Sequence, residues 1–157
     1  MKQIRAIALD VDGVLTDGSI WWGPNGEEWK RFCYADIMGV SMALKAGLLV
    51  TLISGENSPL VDRYAAKFKL TDITKGCKDK ATALHSYALR NQLQLKEICF
   101  MGDDINDLPA LQLAGLAAAP ANARPAVLKK AKFIATCTGG NGAVRDLVDA
   151  ILEAKKS

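Results

Sequence analysis

"IALDVDGVL", residues 7–15, decides the fold. It begins as an unbroken apolar run, the mark of a strand buried on both faces, and ends on Asp10 and Asp12 with Gly13 behind them. In an extended chain, residues two apart share a face. The two carboxylates therefore crowd one small volume, where like charges raise each other's cost of ionisation. Such a pair at a strand end calls for a chemical reason.

Further runs of the same kind lie along the chain: "IRAIAL" (4–9), which overlaps the first, "LLVTLI" (48–53), "EICFMG" (97–102) and "GLAAAP" (115–120). Between and after them the patterns are helical: 36–46 ending at Gly47, 58–69 with Pro59 in the first turn, 78–91, 106–114 ending at Gly115, 122–131 and 143–155. Strand alternating with helix predicts an α/β fold, a Rossmann-like parallel sheet with helices on both faces. With 157 residues, half of them hydrophobic, the chain suits one domain spanning 1–157. Residues 18–32, "GSIWWGPNGEEWKRF", break the pattern: aromatic runs around Gly-Pro-Asn-Gly predict a β-hairpin flap just after the paired acids. Trp21 and Trp22 would face opposite sides, so at least one needs cover from the body or from another subunit. Between Asp12 and Leu48 there is room for the flap and one helix, not for a cap domain.

Composition removes several functions. The net charge is +3, and the basic residues are scattered apart from Lys129, Lys130, Lys132, Lys155 and Lys156, which read as solvated helix faces; no nucleic-acid partner is expected. No apolar run approaches the roughly 18 residues of a membrane span, so the reading is a soluble, cytoplasmic protein without a membrane partner. The four cysteines form no C-x-x-C pair and the one histidine, His85, lies in a helical stretch, which disfavours zinc, a disulfide framework and a histidine-dependent triad. The cysteines read as reduced, mostly buried thiols.

Every polar oddity falls at the carboxyl end of a predicted strand, where open α/β sheets gather their ligands. The first strand delivers Asp10 and Asp12, "TLISGE" delivers Ser54 and Gly55, and "ICFMGDDIND" delivers Asp103, Asp104 and Asp107. Lys80 stands near a helix start, where a cation is unfavourable against the helix dipole unless an anion compensates it. Neither acidic stretch fits a calcium loop, since Val14, Leu15 and Leu108 fall where oxygen ligands or glycine are required. Ser54 alone could be a helix N-cap. Together the set suits phosphoryl transfer. Asp10 and Asp103 can hold Mg²⁺, Lys80 and the metal can neutralise a phosphate, Asp10 can act as nucleophile, and Asp12 can carry the proton. On this reading metal binding favours ionised Asp10, while its neighbour is pushed toward holding a proton.

"DVDGVLTDG", "ISGE", Lys80 in "KGCKDK" and "GDDIND" resemble, in order, the motifs of the haloacid dehalogenase superfamily of phosphohydrolases. With the hairpin and the tail "GGNGAVRDLVDAIL", the chain is similar to the capless branch acting on 3-deoxy-D-manno-octulosonate 8-phosphate and on nonulosonate 9-phosphates. The resemblance implies Asp10 as nucleophile, Asp12 as general acid/base, and Ser54, Gly55 and Lys80 as phosphate ligands. It implies Asp10, Asp103 and the Asp12 carbonyl as Mg²⁺ ligands, supported by Asp104 and Asp107. It also implies a sugar acid phosphate substrate, lipopolysaccharide biosynthesis as context, and a homotetramer. Two positions depart from the octulosonate pattern: Glu56 replaces an arginine, and Asn141 stands in a usual "GGRG". A glutamate repels a sugar acid's carboxylate and prefers hydroxyls or amides, so Glu56 bears on specificity and leaves the nonulosonate esters as the alternative. A receiver-like phosphate-sensing module is the alternative without turnover; Asp12, a second acid two residues on, favours an enzyme.

Overall fold

The computed structural model describes residues 1–156. Its centre is a five-stranded sheet in the order β4-β1-β5-β6-β7, parallel throughout. The strands are β1 (Ala6–Leu9), β4 (Leu49–Leu52), β5 (Ile98–Met101), β6 (Leu116–Ala119) and β7 (Phe133–Ile134). The helices are α1 (Tyr34–Lys45), α2 (Pro59–Lys67), α3 (Lys80–Arg90), α4 (Leu108–Leu113), α5 (Pro125–Leu128) and α6 (Ala143–Lys156).

Side chains alternate across each strand, which is why the sheet buries two separate cores. Ile7, Leu9, Cys99, Met101 and Ala118 pack with Val40, Tyr64 and Leu147 of α1, α2 and α6. Ala6, Ala8, Ile98, Phe100 and Ala117 pack with Leu84, Leu111 and Val127 of α3, α4 and α5. Both faces being covered, the strand sequences have no polar side to show, as expected of a parallel sheet.

The principal helices and strands fall within a few residues of their expected places. Two regions differ. The helix expected over 122–131 shrinks to Pro125–Leu128, because the chain then turns so that the Lys132 N–H donates to the Ala117 carbonyl (2.9 Å) and β7 pairs with the free edge of β6. The stretch expected as a helix from 106 opens with a 3₁₀ turn, Ile105–Asp107, before α4 starts at Leu108.

The hairpin is present as β2 (Trp21–Trp22) and β3 (Glu28–Trp29), antiparallel, with Trp21 opposite Trp29. It is the only sheet pairing between β1 and α1 among the described residues. Trp21 and Trp22 are 70% and 76% exposed and Trp29 is 54% exposed, so the body of the chain covers neither member of the pair. Of the cysteines only Cys99 is buried, the others being half-buried, and none is bonded to another; His85 is exposed. Among the described residues no helix is long and apolar enough to cross a membrane.

Candidate active site

Strand register assembles the site. Leu9 lies level with both Leu52 and Met101, so the residues that follow, Asp10, Ile53-Ser54 and Gly102-Asp103, leave the sheet side by side. The Asp10 N–H still bonds to the Met101 carbonyl (3.0 Å), which fixes the acid at the sheet's end. Asp10 is buried; that burial, then the nearby Asp107 carboxylate, push its carboxyl up to about 7 against the pull of Lys80. Asp103 is also pushed up to about 7, by burial and then by Asp107 and Asp104.

Lys80, the first residue of α3, meets the compensation its position demands. Its ammonium, 2% exposed as a residue, stands 2.8 Å from Asp10 Oδ1 and 2.6 Å from Asp107 Oδ1. Burial disfavours the charge, but the two carboxylates outweigh it and the lysine's pKa is raised. Asp107 has no exposed surface and its other oxygen accepts the N–H groups of Asp103 (2.9 Å) and Asp104 (3.2 Å), so it shapes the loop that carries Asp103. Two glycines make these approaches possible. A Cβ on Gly13, at φ +88°, would sit 2.1 Å from Asp103 Oδ2, and one on Gly102 would sit 2.5 Å from Asp107 Cβ.

Asp12 meets a residue that the sequence reading missed. Lys30, at the base of the flap, places Nζ 2.8 Å from Asp12 Oδ1 and 3.5 Å from Glu28 Oε1. Each of the paired acids thus has its own ammonium. The expectation that metal binding keeps Asp10 ionised while its neighbour is pushed toward holding a proton takes no account of this second ammonium. Ion pairs between residues this far apart in sequence leave no periodic trace, and Lys30 sits in a run that reads only as hairpin.

Ser54 is fully buried, with its hydroxyl accepting the Glu56 N–H (3.1 Å). It is not the N-cap of α2; Ser58 is, accepting the Leu60 N–H (3.2 Å). Gly55 and the exposed Glu56 line a cavity of about 470 Å³, together with Asp10, Asp12, Lys80, Asp103, Asp104 and, unforeseen, Arg124. Arg124 stands 3.5 Å from Asp104 and its N–H bonds to the Asp103 carbonyl (2.8 Å). The tail is tied to the chain around the first acids: the Gly140 N–H donates to the Val14 carbonyl (2.9 Å), and Asn141 accepts from Arg31 at the flap base (2.9 Å).

Asp10, Asp103 and Asp107 bring carboxylate oxygens within 4.8 Å of one another. Asp107 is already occupied by Lys80 and two N–H groups, which leaves Asp10 and Asp103, once ionised, with negative charge that Lys80 alone does not balance. An all-oxygen donor set with surplus charge fits a hard divalent cation such as Mg²⁺.

Comparison with known proteins agrees with this chemistry. Residues 45–147 match the haloacid dehalogenase-like hydrolase family. The 3-deoxy-D-manno-octulosonate 8-phosphate phosphatase of Escherichia coli is 35% identical over 154 residues, which cover 98% of this chain and 82% of that one. The phosphatase of that name from Moraxella catarrhalis, solved with a magnesium ion, a phosphate ion and a KDO molecule, superposes with a TM-score of 0.96 at 35% identity, covering 99% of this chain and 89% of the other. The cobalt-bound enzyme from Haemophilus influenzae gives 0.95 at 33% identity, with 99% and 91% covered.

Proposed function

This chain belongs to the haloacid dehalogenase-like hydrolases, and from that premise we propose that it is a Mg²⁺-dependent phosphatase of a phosphorylated 2-keto-3-deoxy sugar acid, 3-deoxy-D-manno-octulosonate 8-phosphate. The observation that carries the reading is the buried Asp10, aligned by the β1–β5 register beside Asp103 and held 2.8 Å from Lys80. Mg²⁺, bound by Asp10, Asp103 and the Asp12 carbonyl, would supply charge neutralisation at the phosphate. Lys80, Ser54 and the Gly55 backbone would orient the phosphoryl oxygens, and Asp104 and Asp107 would hold the loop beneath Asp103.

Asp10 attacks phosphorus, the ester P–O bond breaks, and Asp12 gives a proton to the departing sugar oxygen. Water then attacks phosphorus of the aspartyl-phosphate, Asp12 takes its proton, the Asp10 O–P bond breaks, and the Asp10 carboxylate is regenerated as inorganic phosphate leaves. Asp10→Asn should abolish phosphate release, and Asp12→Asn should cost about 10²- to 10⁴-fold. Near-normal turnover in either variant would refute the mechanism.

A second reading rests on Glu56, which is exposed in the cavity wall and suits a hydroxyl or amide of the leaving group. It favours a nonulosonate 9-phosphate, whose leaving group carries more hydroxyl and amide chemistry. Comparing kcat/KM for the two esters in wild type and Glu56→Arg decides between them. If Glu56 reads a hydroxyl or amide, the arginine shifts preference by about 5- to 150-fold, the range for a polar contact that bound substrate buries and the variant leaves unpaired; an unchanged ratio removes Glu56 from recognition.

The chain acts as a single catalytic domain in the cytoplasm, within lipopolysaccharide biosynthesis. With no cap to exclude water, a neighbouring copy closes the site. The exposed Trp21, Trp22 and Trp29 support a homotetramer built through the flap.

A further inference from the structure

Lys30 is a buried cation beside the site to which the phosphoryl chemistry gives no task. Its side chain is 1% exposed, and Nζ lies 2.8 Å from Asp12 Oδ1. The two atoms are close yet poorly aligned: neither Lys30 Nζ nor Asp12 Oδ1 completes a well-directed hydrogen bond. A buried ammonium with so few acceptors is an inefficient source of stability, because desolvation offsets much of the Coulombic gain. Its neighbours show what it can do instead. Glu28 Oε1 stands 3.5 Å from Nζ and accepts from the Ser58 hydroxyl (3.1 Å), and Ser58 in turn caps α2 at the Leu60 N–H. A succession of hydrogen bonds and ion pairs therefore runs from the start of α2, through Glu28 and Lys30 of the flap, to Asp12.

We propose that Lys30 is a positioning residue for Asp12: it pins one carboxylate oxygen, and the Glu28–Ser58 contact pins Lys30, so that seating of the flap and orientation of the proton carrier are a single event. The proposal rests on Asp12 as general acid/base. An aspartate has two free side-chain torsions, and proton transfer requires it within hydrogen-bond reach first of the leaving oxygen and then of the attacking water. Tying Oδ1 to the flap leaves Oδ2 for the proton, and Lys30 itself exchanges none. Misplacement of a reacting group by about 1 Å is enough to cost on the order of 10²-fold in rate.

The test is Lys30→Met in the wild-type and Asp12→Asn backgrounds, assayed with Mg²⁺ on an alkyl phosphate monoester, whose leaving oxygen needs a proton, and on 4-nitrophenyl phosphate, whose leaving group needs it far less. In the wild-type background we expect kcat on the alkyl ester to fall about 10- to 100-fold, with a smaller loss on the nitrophenyl ester and KM nearly constant. In the Asp12→Asn background the same substitution should cost less than about 2-fold, because residues that act as a unit are non-additive. An equal factor in both backgrounds, or unchanged kcat in the first, overturns the proposal; near-normal turnover of Asp12→Asn by itself overturns the reading of Asp12 instead. Should Lys30→Met lose its native near-ultraviolet circular dichroism, Glu28→Gln takes its place. That variant keeps the cation and loosens only its anchor, with an expected loss of about 3- to 10-fold that again vanishes without Asp12. A Glu28→Gln loss that persists in the Asp12→Asn background overturns the proposal equally.

Discussion

Metal affinity should climb steeply with pH across neutrality. Asp10 and Asp103, the side-chain carboxylates assigned to Mg²⁺, are both pushed up to about 7, by burial first and then by neighbouring acids. A carboxylate must lose its proton to ligate a cation. For one group at about 7 the ionised fraction rises from roughly 1/11 at pH 6 to 10/11 at pH 8, about tenfold; two such groups give up to about a hundredfold in association constant. Calorimetric titration of Mg²⁺ at pH 6, 7 and 8, in paired buffers of different ionisation enthalpy, reads both the affinity and the protons released. Asp103→Asn should reduce the span to about tenfold. The metal-free protein should show the converse in its melting temperature. These folded-state values lie above the unfolded one of 3.8, so the folded state holds the extra protons; the stability they contribute is complete below the unfolded value and is lost as pH rises through about 7. Added Mg²⁺ should recover more melting temperature at pH 8 than at pH 6. A dissociation constant flat from pH 6 to 8, with no proton release, would refute the assignment of these acids to the metal.

Lys80→Met removes the ammonium from between Asp10 and Asp107 and should lower the unfolding free energy at pH 8 by about 3 to 5 kcal/mol, measured by urea titration. Gly13→Ala forces a methyl into the Asp103 carboxylate at a backbone angle that favours glycine, so calorimetry should show Mg²⁺ affinity reduced at least about tenfold. Trp21→Lys with Trp22→Lys places charge on the flap's exposed aromatic face, and light scattering should show a smaller particle than wild type; a wild type that is already a fully active monomer would refute the flap interface.

How much of this was legible in the sequence depended on whether the signal was local. β1, β4, β5 and β6 announce themselves because strands covered on both faces are continuous apolar runs, and the acids that end β1 and β5 follow directly. β7 was invisible: Phe133–Ile134 is a two-residue strand after a lysine-rich stretch, and only the open edge of β6 makes it one. Asp36 reads as an ordinary helix residue, yet it is buried and its carboxylate accepts the N–H groups of Gly142, Val144 and Arg145, capping α6 from across the fold. Lys30 and Arg124 were missed for the same reason, since each acquires its place from residues remote in the chain.

The paired acids show where local reasoning stops. From spacing alone, Asp10 and Asp12 must repel, and that repulsion together with metal binding at Asp10 is expected to divide their protonation states. Folding places a different cation at each: Lys80 from the start of α3 at Asp10, and Lys30 from the flap at Asp12. The two acids then answer to different partners. Asp10 shares its lysine with Asp107, which also holds the loop of Asp103, so its environment is coupled to the metal side of the cavity. Asp12 shares its lysine with Glu28 and, through Ser58, with the helix that follows Glu56, so its environment is coupled to the flap and to the start of α2. On the proposed roles, the nucleophile and the proton carrier answer to different lysines, one on the metal side of the cavity and one on the flap, a division that mutual repulsion between two identical side chains would not supply.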